Sequence, residues 1–193
     1  MTIWFTSDLH FGHANIIKYC NRPFESVDHM NQELIRRWNE KVQPEDTVWV
    51  LGDVAMGKLK ETVPLVAQLN GDKHLVAGNH DGCWKYHKKA DKMAALYFDA
   101  GFRSIWTEAW STLPFGDKDI KFQMHHFPFV GDSHDTDRYS EMRPIDKGQI
   151  LLHGHVHDAW KAKPRMVNVG CDVWGYAPVT FDQLMSAIAE CED

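Results

Sequence analysis

The chain has 193 residues and a formal net charge of −6, and 44% of its residues are hydrophobic while 25% are charged. A chain of this length and composition suits one domain with a sizeable core, so we expect a single domain over residues 1–193. The acidic balance argues against a surface that coats nucleic acid, because such a surface usually carries a basic stripe.

The cysteines and the first residues indicate the compartment. The four cysteines, Cys20, Cys83, Cys171 and Cys191, show neither CxxC spacing nor a dense framework, which favours reduced structural thiols. The opening MTIWFTSDLH begins a strand at once and lacks a charged leader followed by an apolar run. No apolar run approaches the ~20 residues needed to span a bilayer. We therefore expect a cytoplasmic protein with no membrane partner.

Short apolar runs rich in β-branched or aromatic residues alternate with helical patterns along the chain, which indicates a layered α/β fold. The predicted strands are residues 2–7, 47–52, 73–78, 119–125, 149–153 and 165–170. The predicted helices are residues 26–41, 58–69, 85–99 and 181–191. Pro64 is expected to kink or shorten the second of these helices. Residues 128–148 are rich in Pro, Gly, Asp and Arg and predict a long loop, a feature that is often functional in a compact domain.

Polar side chains follow five of the predicted strands, at the point where each strand ends. They are Asp8 and His10 in SDLHFGH, Asp53 in LGDVA, Asn79, His80 and Asp81 in AGNHDG, His125 and His126 in MHHFPF, and His153, His155 and His157 in HGHVHD. Residues two apart in an extended chain point the same way, so the side chains of Asp8 and His10 can reach one point. Ligands of open α/β sheets gather at this carboxyl-terminal edge of the strands.

A series of five such clusters predicts a metal centre. One histidine at a strand end is more often a hydrogen-bonded structural residue, and an aspartate after glycine is usually a turn former. Burying all these carboxylates and imidazoles without compensation is costly, and a pair of divalent cations would compensate. Oxygen and nitrogen ligands without thiolate suit manganese, iron or zinc better than calcium or an iron–sulfur cluster.

The order of these pieces, DLH, GD, GNHD, a lone H and GHVH, resembles the signature of the calcineurin-like metallophosphoesterases from Asp8 to His157. The resemblance implies an α/β fold, a four-layer α-β-β-α sandwich of two mixed sheets flanked by helices. It also implies two divalent metal ions, with manganese preferred and iron, zinc or nickel as alternatives. The implied ligands are Asp8, His10 and His157 at a first metal position, Asn79, His126 and His155 at a second, and Asp53 as the bridge between them.

The resemblance further implies the chemistry. A metal-bound hydroxide attacks the phosphoester without a covalent intermediate, and His80 lies near the leaving group as a general acid or a stabiliser of charge. His126 is preferred to His125 because it precedes the aromatic-Pro pair, and both stay open on the residues alone. Asp81 and Asp158 are either acceptors for the metal-binding imidazoles or ordinary cap and turn residues. His153 is left unassigned because Gly154 is expected to bend the chain there.

The candidate substrate-binding residues are His13 and Asn15 in FGHANI, Arg22 in NRPF, and Arg143 in the long loop, where Arg138 is a further candidate. A phosphate can be bound by a polar helix start or by an arginine. The alternatives are a capping turn and solvated loop arginines. The stretch FPFVGDSHDTDRY is predicted to be the specificity loop.

The pieces GDVAMG and GNHD depart from the GDxVDRG and GNHE of related protein phosphatases, which favours a small diesterase. The predicted function is therefore hydrolysis of a phosphodiester in a small nucleotide-like or cyclic substrate. The alternatives are a phosphomonoesterase, a nuclease that uses the same site, a non-catalytic scaffold, and a mononuclear zinc hydrolase with three ligands and an open position.

Overall fold

The computed structural model describes residues 1–133, 136 and 138–192. The strands are β1 (Ile3–Thr6), β2 (Thr47–Val50), β3 (Asp72–Val76), β4 (Phe102–Trp106), β5 (Glu108–Phe115), β6 (Lys118–His125), β7 (Ile150–His153), β8 (Ala162–Lys163), β9 (Met166–Asn168) and β10 (Val179–Thr180). The α-helices are α1 (Ala14–Tyr19), α2 (Val27–Lys41), α3 (Leu59–Thr62), α4 (Ala90–Asp99) and α5 (Phe181–Glu192).

The strands form two mixed sheets. The first has the order β10-β1-β2-β3-β4, in which β1 to β4 are parallel and β10 is antiparallel. The second has the order β5-β6-β7-β9-β8, in which β6, β7 and β9 are parallel and both edge strands are antiparallel. The predicted α/β fold of two mixed sheets flanked by helices is confirmed.

Two buried clusters hold these layers together. One joins α1, α2 and α4 to the first sheet and includes Met30, Leu34 and Trp38 from the apolar face of α2. The other lies between the sheets, where Phe122 contacts Phe5 edge-on and stacks on Phe181 of α5. Helix α5 packs against strands of both sheets, so the carboxyl-terminal helix closes the space between them.

Local sequence explains most element ends. Helix α2 begins after Ser26, whose hydroxyl accepts a hydrogen bond from His29 N, as a helix N-cap does. Helix α3 ends at Thr62 and continues only as a 3₁₀ turn, Val63–Gln68, because Pro64 lacks the amide that an α-helix needs. The predicted shortening at Pro64 is confirmed. The predicted start of a helix at residue 85 is wrong, since α4 begins at Ala90. No helix in the described part of the chain has the length and apolar character required to cross a membrane.

Candidate metal centre

The seven predicted ligands lie at the ends of strands from both sheets. Asp8 and His10 follow β1, Asp53 follows β2, and Asn79 follows β3. On the second sheet, His126 follows β6, and both His155 and His157 follow β7. An isolated bridge between Ser7 and Gly170 joins the chain after β1 to the chain after β9. The carboxyl ends of parallel strands in two facing sheets therefore meet at one place, where ligands of α/β folds bind.

Five of the seven ligands have left-handed backbone conformations. The φ angle is 56° at Asp8, 52° at His10, 53° at Asp53, 71° at His155 and 48° at His157. Non-glycine residues rarely adopt positive φ, and such strain clusters at functional sites. The sequence argument that an extended chain aligns Asp8 with His10 is therefore wrong in its mechanism. The two side chains converge because the chain turns at each of them.

Glycines beside the ligands allow these turns to pack closely. A Cβ atom on Gly78 would lie 2.4 Å from Asp53 Oδ1, and a Cβ atom on Gly154 would lie 2.5 Å from Asp8 Oδ2. Real Cβ atoms do not approach other atoms this closely. The glycines of the GN and GH pieces thus make room for the carboxylates of other strands.

The side chains converge around Asp53. Its Oδ2 atom lies 3.8 Å from His10 Nε2 and 3.5 Å from His126 Nε2. Two groups have donor atoms within 4.8 Å of one another, Asp8 with His10 and His157, and Asp8 with Asp53 and His126. Burial would raise the pKa of Asp53, but the neighbouring imidazoles hold it well below its ordinary value. An ionised carboxylate thus lies between the two groups of histidines.

The surroundings of His126 suit a cation. Its Nδ1 atom donates to Leu51 O at 2.7 Å, because a carbonyl oxygen only accepts. Its Nε2 atom then faces Asn79 Oδ1 at 3.1 Å and Asp53 Oδ2, which are also acceptors. Burial would lower the pKa of His126, but the carboxylates of Asp53 and Asp8 raise it to about 9. A divalent ion could bind the deprotonated His126 Nε2, Asn79 Oδ1 and Asp53 Oδ2 at once. The hydrogen bond that His126 donates from Nδ1 is typical of a metal-binding histidine.

His10, which also lies close to Asp53, has surroundings that suit a cation as well. Its ring is buried, and neither ring nitrogen has a hydrogen-bond partner within the described residues. Burial lowers the pKa of His10 well below its ordinary value, so the ring is neutral and has a free lone pair. Buried nitrogens without a hydrogen-bond partner are costly, and a metal ion bound between His10 Nε2 and the Asp53 carboxylate would remove that cost.

His155 points to a residue that the sequence analysis missed. Its amide donates to the Asp8 carboxylate at 3.0 Å, and its Nε2 atom lies 3.2 Å from Asp132 Oδ2. Asp132 belongs to the long loop, and its side chain is only 1% exposed. Burial would raise the pKa of Asp132, but Arg138 and His155 hold it well below its ordinary value. The loop length was the one available signal, and it did not single out this residue.

The two adjacent histidines after β6 have different surroundings. His125 Nδ1 accepts a hydrogen bond from Phe127 N at 3.0 Å, and burial lowers the pKa of His125 to about 4. Its ring lines a separate cavity of about 250 Å³ beside Trp84. The structure therefore places His126, and not His125, beside Asp53. His153, left unassigned above, also points elsewhere, because its Nδ1 atom lies 2.8 Å from Gly154 O.

Asp81 supports the backbone rather than an imidazole. One carboxylate oxygen accepts from the amides of Asp53 at 2.9 Å and Gly78 at 2.8 Å, and the other accepts from the amide of Val54 at 3.1 Å. The hydroxyl of Tyr97 lies 3.3 Å from that second oxygen. The side chain of Asp81 therefore fixes the turn that holds Asp53.

Replacing Asp81 by asparagine is expected to destabilise the protein. An amide NH₂ in place of the oxygen that receives two backbone amides would set donor against donor. Each buried unsatisfied group costs about 1–3 kcal/mol, so we expect the free energy of unfolding to fall by about 2–4 kcal/mol in urea denaturation of metal-free protein. Asp99, exposed on α4, is the matched control as Asp99→Asn. Equal stability of the two variants would show that the Asp81 hydrogen bonds do not hold this turn.

A cavity of about 210 Å³ opens beside the metal-binding side chains. It is lined by His10, His13, Ile16, Tyr19, Asp53, His80, Ser133, Arg138, His155 and His157. The side chain of His80 is 42% exposed there, and its Nε2 atom lies 4.0 Å from Asp53 Oδ2. A group with this reach and exposure can meet a ligand bound beside the candidate metal centre.

The predicted substrate-binding residues lie in different places on the molecule. His13 lines this cavity, whereas Asn15 is exposed on α1 and is not among the lining residues. Arg143 lines the other cavity, with His125, and the residue that reaches this one is Arg138, whose Nη2 atom lies 2.9 Å from Asp132 Oδ1. Part of the predicted specificity loop, at positions 134, 135 and 137, lies outside the described residues.

Arg22 is engaged in an internal ion pair. Its side chain is buried and bonds to both carboxylate oxygens of Asp172 at 2.8 Å. It also donates to the carbonyl oxygens of Asp8 at 2.7 Å and Leu9 at 3.0 Å. The assignment of Arg22 to phosphate is therefore wrong, because its guanidinium is already bound to Asp172 and to the backbone of the turn that carries Asp8.

Comparisons with known proteins agree with the fold and the motif order. The family model described as calcineurin-like phosphoesterase matches residues 1–159. The Gene 66 protein of Mycobacterium phage D29 is 33% identical over 199 residues, with 99% of this chain and 98% of the phage protein covered. The Uncharacterized protein MJ1445 of Methanocaldococcus jannaschii is 34% identical, with 96% and 90% covered. The crystal structure of the protein of unknown function AQ665 from Aquifex aeolicus has a TM-score of 0.67 at 25% identity, with 96% and 98% covered.

Proposed function

Because the chain belongs to the calcineurin-like phosphoesterase family, we propose that it is a two-metal phosphodiesterase acting on a small nucleotide-like or cyclic ester. Family membership supports the coarser statement, a metal-dependent hydrolase of phosphoesters. The two-metal centre rests on one observation, the convergence of metal-ligand side chains on both sides of Asp53. His126 Nε2 faces Asn79 and Asp53 on one side, and the unpartnered ring of His10 lies on the other.

The chain's own residues have distinct roles in this proposal. Asp8, His10 and His157 would hold one cation, Asn79, His126 and His155 would hold another, and Asp53 would contact both. Two divalent cations about 3.5–4 Å apart lower the pKa of a bound water and stabilise the charge of an in-line displacement. His80, exposed in the cavity beside Asp53, would donate a proton to the leaving oxygen or stabilise its charge. His13 would contact the ester from the facing side of the cavity.

The charge of the cavity favours a diester. Among the described residues that line it, Arg138 alone carries a fixed positive charge, and it is paired with Asp132. A phosphomonoester carries about −1.5 to −2 at neutral pH, whereas a diester carries a single negative charge. A cavity with little spare positive charge beyond its cations suits the smaller charge.

The test compares bis(p-nitrophenyl) phosphate with p-nitrophenyl phosphate on the same metal-stripped preparation. We expect no turnover of either ester in chelator, restored diester turnover on addition of Mn²⁺, and a higher kcat/KM for the diester than for the monoester. Zn²⁺ and Ni²⁺ are assayed in parallel. A preference for the monoester would contradict the diester assignment, and turnover that persists in chelator would contradict metal dependence.

We also propose that residues 1–193 form one domain. The family match ends at residue 159, yet β8, β9, β10 and α5 lie beyond it. These later elements complete the edges of both sheets, and α5 supplies Phe181 and Leu184 to the core between them. A single cooperative unfolding transition would agree with one domain.

A further inference from the structure

A second group of metal-binding side chains adjoins the first metal position. Donor atoms of Cys20, His157 and Asp172 lie within 4.8 Å of one another. His157 belongs to this group and also to the group with Asp8 and His10. One imidazole therefore serves two neighbouring groups, and only one of them contains a thiol.

The His157 ring of the second group makes no close hydrogen bond to the Asp172 carboxylate. His157 Nδ1 is buried without a hydrogen-bond partner within the described residues. It lies 3.8 Å from Asp172 Oδ2, which is too long for a hydrogen bond but suits two ligands of one ion. A buried nitrogen that faces a carboxylate and a thiol across such a gap is a place for a cation.

The carboxylate is already oriented. Arg22 holds both oxygens of Asp172 at 2.8 Å, which fixes the side chain and leaves lone pairs on each oxygen for a further contact. Two members of the group, Cys20 and His157, line a cavity, and the buried Asp172 carboxylate lies behind them. A cavity of about 260 Å³ is lined by Ile16, Tyr19, Cys20, Ser133, His157 and Asp158.

The donor set of the second group favours a more thiophilic metal than manganese, the metal preferred for the predicted centre. Thiolate, imidazole and carboxylate together bind zinc, with Zn–S near 2.3 Å and Zn–N near 2.0–2.1 Å. Manganese prefers oxygen ligands and gains little from a thiolate. The group with Cys20 therefore discriminates between the two metals, whereas the group with Asp8 and His10 contains no sulfur.

We propose that Cys20, His157 and Asp172 form an inhibitory site for a thiophilic divalent cation such as zinc or cadmium. The cation displaces the thiol proton of Cys20, which leaves to solvent, and binds the thiolate, the carboxylate and the imidazole. His157 also belongs to the group with Asp8 and His10, so a cation that turns its imidazole toward Cys20 and Asp172 removes one ligand from the first metal position and lowers hydrolysis. The binding half of this proposal stands alone, and the inhibitory half rests on the proposed function.

The test uses full-length protein in which exposed Cys191 is replaced by serine, so that cadmium does not collect there. Metal-free protein is titrated with CdCl₂, and the ultraviolet charge-transfer band of a cadmium thiolate is followed in Cys20→Ser and in Cys83→Ser. Cys83 is the matched control because it is also buried but is not a member of the group. We expect the band to be lost in Cys20→Ser alone. X-ray absorption of the zinc-loaded Cys191→Ser protein is expected to show a sulfur neighbour at about 2.3 Å, and this neighbour is expected to be absent when Cys20→Ser is added.

Inhibition is measured separately, on Mn²⁺-restored protein. We expect the zinc concentration that halves diester hydrolysis to rise at least about tenfold in Cys20→Ser and to stay unchanged in Cys83→Ser. A band that persists in Cys20→Ser, or a zinc shell without sulfur, would overturn the site. A lost band with unchanged zinc inhibition would overturn the inhibitory role. If no ester is hydrolysed with any metal, the proposed function fails while the band still decides the site.

Discussion

Asp53→Asn is expected to lower hydrolysis of bis(p-nitrophenyl) phosphate in Mn²⁺ by at least about 10³-fold. The carboxylate lies within 4.0 Å of the Nε2 atoms of His10, His80 and His126, and the neutral amide removes the charge on which both metal positions depend. Metal ions supply several kcal/mol of transition-state stabilisation, and each 1.4 kcal/mol is worth a factor of ten in rate. Steady-state kcat and the metal content of the same sample are measured together, and the content is expected to fall below two ions per chain.

The matched control for this variant is Asp146→Asn. Asp146 is a partly exposed aspartate paired with Arg165 on the protein surface, so its replacement tests the loss of one negative charge away from the centre. Its activity and metal content are expected to equal those of the unmodified protein. An Asp53→Asn protein that keeps both ions and a rate within about tenfold of normal would show that Asp53 does not link the two positions.

His126→Ala and His125→Ala are expected to differ sharply although the residues are adjacent. His126→Ala removes the ring between Asn79 and Asp53, so we expect loss of one metal ion and a fall in kcat of about 10²–10³-fold. His125→Ala leaves the Phe127 amide without its acceptor, which costs about 1–3 kcal/mol of stability but leaves the metal ligands in place. Metal content, kcat and urea unfolding are measured on both variants.

This pair of variants is its own control, because each tests a role that the other lacks. The expected pattern is loss of metal with His126→Ala and loss of stability with retained metal for His125→Ala. The reverse pattern would identify His125 as the ligand and would require β6 to end in a different register. Loss of metal in both variants would mean that His125 is needed to hold the turn that positions His126.

The layered α/β class could be predicted from local patterns, whereas the two-sheet arrangement and the ligand set were implied by the resemblance to a known family. Apolar runs marked β1, β2, β3, β6, β7 and β9, and polar residues marked their ends. The two-residue strands β8 and β10 carry too little pattern to be found. Strand β5 alternates exposed and half-buried positions and contains Pro114, so it lacks the continuous apolar run of a buried strand.

What the sequence could not supply were contacts between distant segments. The partner of Arg22 is Asp172, 150 residues along the chain, so a loop arginine resembled a phosphate ligand until its carboxylate was located. Asp132 contacts His155, which lies 23 residues further along the chain. The left-handed turns at Asp8 and His10 are held by hydrogen bonds from their amides to Gly52 O and Asp53 O, which no local pattern encodes.

Anomalous diffraction from crystals loaded with Mn²⁺ would test the central claim most directly. The account predicts two peaks per chain about 3.5–4 Å apart, with the Asp53 carboxylate touching both, His126 and Asn79 on one ion, and His10 on the other. A single peak held by three ligands and an open position would contradict it, and would indicate a mononuclear hydrolase instead.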